Sequence, residues 1–248
     1  MNTFTNKFLD GHVIIELNKL NYVVDTGSPI SFGRGNRVII NGKNFPISNV
    51  SPNGLTADSI SALSGLQVDG LIGMDILIRF DLRFTRHQVI FSDTPIRHGD
   101  TAITLPIVES LMGIPVITLN IGQKDRRIIF DSGAKLSYLS EDLLVGTPFG
   151  QMEDFYHSIG TYKTDVYKID VTINGKVEAL TFGLLPPSIR MLLSATQTKG
   201  VIGTELLNKY SIILSNQRKI LVLNLLNENE ESLQTQDDSI YVRELSLD

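Results

Sequence analysis

Short apolar runs alternating with polar residues recur along this chain, each closed by Gly, Asn, Asp or Pro. That period of two predicts strands. It selects residues 12–17, 21–24, 37–40, 88–91, 115–121, 127–130, 167–173 and 219–225, all rich in Val, Ile, Leu or aromatic side chains. The dipeptides Asn41-Gly42 and Asn174-Gly175 suit two-residue hairpin turns. Helical spacing is confined to residues 74–78, 141–145 and 205–209. The pattern predicts an all-β protein with a few helical turns.

The pattern occurs twice. VIIEL, YVVDTGSPISF, VIINGK, DGLIGMDIL and RFDLRFTRHQVIF are followed in the same order by VITLNIG, RIIFDSGAKLSYL, VTINGK, KGVIGTELL and KYSIILSNQRKILVL. Two units are too few for a solenoid. They predict two homologous lobes related by a pseudo-twofold axis: residues 1–92 and 113–226, joined by a connector over 93–112. Asp25 and Asp131 lie 106 positions apart, whereas Gly42 and Gly175 lie 133 apart, so the second copy carries 27 extra residues between aspartate and turn. Segments 3–8, 101–107 and 239–245 are further strand candidates, expected to share one sheet. The acidic stretch 227–238 within the 227–248 tail reads as a solvated linker.

Composition narrows the chemistry. The chain has 248 residues, 42% hydrophobic and 20% charged, enough for a substantial core. A net charge of −5 and a pI near 5.4 argue against nucleic acid as a partner. The one tight basic run, Lys124-Asp125-Arg126-Arg127, fits a polar hairpin tip. With no cysteine, disulfides, thiolate nucleophiles and cysteine-ligated metals are excluded. His12, His87, His98 and His157 are isolated, without metal-ligand spacing. No metal and no cofactor is expected. No stretch reaches the ~20 apolar residues of a membrane helix, and no basic region followed by an apolar block marks a signal peptide. The expectation is a soluble cytoplasmic protein.

Each copy ends an apolar strand with a carboxylate, a hydroxyl residue and glycine: Asp25-Thr26-Gly27 and Asp131-Ser132-Gly133. Such a triplet arises by chance about once in 2000 positions, so two at equivalent places in a repeat carry weight. Glycine lets a second backbone approach closely. The hydroxyls can hydrogen-bond across to the facing loop. Two carboxyls held about 3 Å apart cannot both ionise, and sharing one proton suits them to general acid and general base work.

DTGS at 25–28 and DSGA at 131–134, each followed later by an apolar-apolar-Gly segment (Leu71-Ile72-Gly73 and Val201-Ile202-Gly203), resemble the pepsin and retropepsin aspartic peptidases. The resemblance covers roughly residues 12–92 and 114–225. It implies an acid-protease fold with two lobes, Asp25 and Asp131 as catalytic dyad, and Thr26 and Ser132 as cross-lobe hydroxyls. Gly27 and Gly133 would shape the turns, and Ser28 would hydrogen-bond Asp25 from behind. Ala134 lacks that hydroxyl. The family closes a hairpin flap over its cleft, and 17 positions between Asp25 and Gly42 leave no room for one in the first copy. Phe32-Gly33-Arg34-Gly35 reads instead as a loop after the strand. The excess in the second copy holds a hairpin, EDFYHSIGTYKTDVYKIDVTI, with Ile159 and Gly160 near its tip and Phe155, Tyr156 or Tyr162 nearest a substrate. The expected activity is endopeptidase cleavage of an extended peptide or protein substrate. One chain would suffice for the site, without membrane or nucleic acid. The alternative is an inactive peptide-binding module on the same fold.

Overall fold

The computed structural model describes residues 1–109, 111–156, 160–195 and 197–226. The first half of the chain forms β1 (Asn2–Leu9), β2 (His12–Leu17), β3 (Leu20–Val24), β4 (Phe32–Gly33), β5 (Arg37–Ile40) and β6 (Lys43–Pro46). Helix α1 (Ala57–Ser64), β7 (Gly70–Ile72), α2 (Met74–Leu77), β8 (Asp81–Phe84) and β9 (Gln88–Ser92) complete it. The second half opens with β10 (Ile103–Pro106), β11 (Val108–Glu109), β12 (Pro115–Ile121), β13 (Lys124–Phe130) and β14 (Ser137–Leu139). It continues with β15 (Gly150–Tyr156), β16 (Gly160–Ile173), β17 (Lys176–Leu184), α3 (Pro187–Ala195), β18 (Gly200–Ile202), β19 (Tyr210–Ser215) and β20 (Ile220–Leu225). Single 3-10 turns occupy Glu141–Leu143 and Thr204–Asn208, where short helical stretches were expected. Strand dominates, in line with the alternating pattern.

Every predicted strand within the described residues forms. Both Asn-Gly dipeptides make two-residue loops, closing Ile40 on Lys43 and Ile173 on Lys176, with positive φ at both loop residues. That is the turn whose twist matches paired strands. Asp10-Gly11 turns the same way between β1 and β2.

Two helices escaped the periodicity. Helix α1 starts at Thr56, whose side chain accepts from Ser59 N while the Ser59 hydroxyl sits on the Thr56 backbone, and it ends at Gly65 in the left-handed conformation. Only Ala57 and Ile60 are buried along it, so its apolar stripe is too thin to register. Helix α3 begins on Pro187, a favourable first-turn residue.

The halves repeat one pairing scheme. β3 runs parallel to β7 with β4 antiparallel on its far side, and β13 runs parallel to β18 with β14 antiparallel on its far side. In each half a helix, α1 or α3, precedes the parallel strand. Phe32, read from sequence as part of a loop, is buried in β4, which holds the place of β14.

A ten-stranded sheet, ordered β10-β20-β19-β8-β9-β1-β2-β3-β7-β4, draws on both halves and joins them where β19 pairs with β8. Segments 3–8 and 101–107 enter it as β1 and β10, whereas 239–245 lies outside the described residues. The second sheet is ordered β11-β12-β13-β18-β14-β17-β16-β15. One hydrophobic core includes Ile15, Phe80 and Phe84 from the first half with Phe130, Phe182 and Leu223 from the second. The Phe84 and Phe130 rings meet edge to face at 6.1 Å across the halves.

The extra residues of the second copy are β15 and the first half of β16, a hairpin in register from Gly150↔Val166 to Tyr156↔Gly160. β16 changes its buried side along the way: Thr164 and Val166 are buried, then Ile169, Val171 and Ile173. The later residues belong to the main core, while Val166 joins a smaller cluster with Tyr138 and Val201.

Candidate active site

Backbone pairing brings the two aspartates to equivalent places. Beyond the last residues of β3 and β13, Asp25 N donates to Ile72 O at 3.0 Å and Asp131 N to Ile202 O at 2.9 Å. The apolar-apolar-Gly segments thus pass beside the aspartates. The chain then turns sharply. Gly27 N and Ser28 N both donate to Asp25 Oδ1 at 2.8 Å, and Gly133 N donates to Asp131 Oδ1 at 2.8 Å.

Thr26 and Ser132 tie the turns together reciprocally. Thr26 Oγ1 donates to Phe130 O at 2.9 Å and accepts from Ser132 N at 2.9 Å. Ser132 Oγ donates to Val24 O at 2.8 Å and accepts from Thr26 N at 3.1 Å. Both side chains are essentially fully buried. Each hydroxyl satisfies one donor and one acceptor of the opposite half, so neither turn can shift without leaving a buried polar group unpaired.

This clamp explains the glycines. A Cβ on Gly27 would lie 2.2 Å from Asp131 Oδ2, and one on Gly133 would lie 2.4 Å from Asp25 Cγ. Only hydrogen at those positions lets each turn close over the opposite carboxyl. The two carboxyls are in hydrogen-bond contact. Burial raises both above the usual carboxylate range, and the charge of Asp131 raises Asp25 further. Backbone donors pull the other way on each. The pair holds one proton between its two ionisations, which belong to the pair jointly. Both residues are intermediate in solvent exposure.

Ser28 takes a different part from the expected one. Its backbone N–H, not its hydroxyl, holds Asp25, and Oγ donates to Ile30 O at 3.1 Å. Lack of a hydroxyl at Ala134 therefore costs the second turn nothing equivalent. Ala134 N instead points to the backbone oxygen of Asp131 at 3.4 Å, leaving that carboxylate one backbone donor fewer than Asp25 within its own turn.

Buried serines brace the neighbouring glycine segments, a feature unread in the sequence. Ser31 Oγ accepts from Gly73 N and donates to Asp75 Oδ1, and Ser137 Oγ accepts from Gly203 N. Asp75 thus anchors the first turn from behind as well as opening a helix. Its counterpart Glu205 binds Thr181 instead.

Of the hairpin residues singled out, Phe155 packs its ring 5.7 Å from His12. Tyr162 donates its hydroxyl to Tyr138 at 2.7 Å, and the Tyr138 hydroxyl bonds the buried Asp154 carboxylate. Burial and that carboxylate push the Tyr138 phenol well above its ordinary range, so it remains a donor. Gly160 closes the described hairpin opposite Tyr156, with φ at +82°. Ile159 and His157 lie outside the described residues, as does the side chain of Tyr156. β15 also lies against α1 of the first half.

In the sequence His12 is one of four isolated histidines with no site assigned to it. The structure places it behind the second turn, its Nδ1 2.8 Å from Gly133 O. The signal available in sequence was its position directly after Asp10-Gly11, a turn that reaches the other half: Thr204 Oγ1 donates to Gly11 O at 2.6 Å, and Asp10 pairs with Lys135 at 2.8 Å.

No protein-family model matches this chain, and no curated protein matches it. Among the described residues, no group of three or more His, Cys, Asp or Glu is placed to hold a metal ion. No helix among them is long and apolar enough to cross a membrane.

Proposed function

We propose that this protein is an aspartic endopeptidase with the two-lobed fold of the pepsin and retropepsin enzymes, complete in one chain. The observation that carries this reading is the hydrogen-bonded Asp25/Asp131 pair held by reciprocal Thr26 and Ser132 bonds. Structural ion pairs seldom place two acids together with no cation on them, because each raises the other's cost of ionisation. Catalytic acids do.

In the mono-protonated pair, a water between the carboxyls loses a proton to the ionised one as its oxygen attacks the peptide carbonyl carbon. The protonated one gives its proton to the carbonyl oxygen. Collapse of the resulting diol breaks the C–N bond: the leaving nitrogen takes a proton from the pair, and one diol hydroxyl returns its proton to the ionised carboxyl as the product acid forms, so the pair is again mono-protonated. The hairpin of β15 and β16 serves as the flap, with Phe155 and Tyr162 on its inner elements. An extended peptide fits such a site through backbone hydrogen bonds, with alternate side chains in pockets.

Incubation of the purified chain with denatured protein and a mixed peptide library across pH 3–8 tests this. Cleavage with a bell-shaped pH profile is expected. Asp25→Asn and Asp131→Asn should each reduce it by at least about a thousandfold. Turnover surviving both single changes would overturn the assignment, and peptide binding without turnover by the unmodified chain would make this a binding module.

A further inference from the structure

The two aspartate turns are not braced alike. In the first, two backbone N–H groups converge on the Asp25 carboxyl; in the second, only Gly133 N does so from its own turn. Gly133 is held from both ends, its N–H on Asp131 Oδ1 and its carbonyl on His12 Nδ1 at 2.8 Å. At the equivalent start of the second copy, β12 begins with Pro115, which has no side-chain donor. His12 is one unsymmetrical element of a largely duplicated frame.

A carbonyl oxygen accepts only, so Nδ1 carries the hydrogen and the neutral ring presents a lone pair at Nε2. That Nε2 is buried, with no hydrogen-bond partner among the described residues, in a residue only 4% exposed. An unpartnered acceptor in such a place is unusual. The ring also lies against Phe155 of the hairpin, so it touches the turn of one catalytic residue and the element expected to cover the substrate.

We propose that His12 is a positioning residue for Asp131, and that its proton at Nε2 links the charge of the dyad to the seating of the hairpin. This rests on the endopeptidase reading. With the hairpin seated, desolvation keeps the imidazole below its ordinary range. The charged groups around it are Asp131 beyond Gly133, Asp154 on β15, Asp10 on its own turn, and Lys135 after the second motif. Asp154 and Asp10 favour the imidazolium and Lys135 opposes it, while a charged ring in turn favours ionised Asp131. Lifting Phe155 hydrates Nε2 and raises the affinity for a proton. Acid therefore favours the lifted hairpin, and coverage favours neutral His12.

Two variants separate positioning from packing. His12→Asn offers an amide N–H where Nδ1 sits and cannot titrate, and His12→Leu offers no donor. Cleavage by His12→Asn should stay within about threefold of the parent at the plateau, while its acidic limb loses one ionisation. His12→Leu should lose roughly tenfold in kcat with little change in KM, the scale of one lost hydrogen bond to the turn that holds Asp131. Equal losses in the two variants, with the acidic limb unchanged, would overturn the proposal.

A second measurement needs no turnover. NMR titration of the His12 ring should show the Nδ1–H tautomer and a midpoint below 6.5, moving lower still in Asp131→Asn, where an anion that favours imidazolium is gone. A midpoint indifferent to Asp131→Asn refutes the linkage even if cleavage is robust. A responsive midpoint in a protein that cleaves nothing upholds the linkage and sinks the endopeptidase reading alone.

Discussion

At the scale of residues, the candidate site is a place where stability is given up. Asp25 and Asp131 are pressed together by turns whose glycines leave no room for any other arrangement, and both carboxyls are raised above their ordinary range by burial. A carboxyl raised on folding binds its proton more tightly in the native state than in the unfolded one. Its favourable contribution is complete below the unfolded value near 3.9 and is lost as pH rises through the folded value. Asp25→Asn removes the group with the larger rise, and the amide can still donate to Asp131. The variant should therefore melt higher than the parent at pH 7, by a few degrees, the scale that about 1 kcal/mol produces in a chain of this length. The difference should shrink towards zero below pH 4. Thermal melts of both proteins from pH 3 to 8 read this directly, and a variant less stable at pH 7 would mean that the pair is not strained by its charge.

At the scale of elements, legibility followed burial geometry. Strands with one or two clear faces, such as β5 with Val38 and Ile40 inside and Arg37 and Ile39 outside, were readable from alternation alone. The duplicated triplets marked the aspartates because both copies kept a strand, an acid, a hydroxyl and a glycine in order. Helix α1 was not readable, since Thr56, Ser59 and Gly65 define it through caps while only two of its residues face the core. β4 and β14 are two and three residues long, too short for any period. The braces at Ser31, Ser137 and His12 depend on contacts between distant segments, which no local pattern encodes. The hairpin lies between these extremes. Its existence followed from the 27-residue excess, but its anchorage, Tyr162 to Tyr138 to Asp154, emerged only in three dimensions. Tyr138→Phe removes the middle of that chain and leaves the Asp154 carboxylate short of a buried partner. Hydrogen exchange of β15 and of residues 160–166 should accelerate by about tenfold or more, the effect of one charge-assisted hydrogen bond, while β2 and β13 amides keep their protection. Unchanged exchange in the hairpin would show that strand pairing alone holds it.

At the scale of the molecule, duplication raises the question of whether the halves are separate folding units. Three features join them: the β8–β19 pairing within one ten-stranded sheet, a hydrophobic core drawn from both, and the reciprocal bonds of Thr26 and Ser132. Asp81 on β8 adds a fourth. It is fully buried and accepts from Ser215 Oγ at 2.7 Å and Gln217 N at 3.2 Å in the second half, and from Ile96 N at 3.2 Å in the connector. Asp81→Ala would leave the fully buried Ser215 hydroxyl without its acceptor and release the Gln217 and Ile96 amides, a loss of roughly 3 kcal/mol. If the halves unfold together, that loss must appear everywhere at once. Amides of β3 and β13, which lie in different sheets and carry the two aspartates, should lose protection by the same factor, on the order of a hundredfold for such a loss. Denaturant unfolding should remain a single transition with its midpoint lowered. Two transitions, or a loss of protection confined to one sheet, would mean that the halves fold separately and dock. In that case the aspartate pair would depend on docking, and its clamp of buried hydroxyls would be an interface between units, not part of a common core.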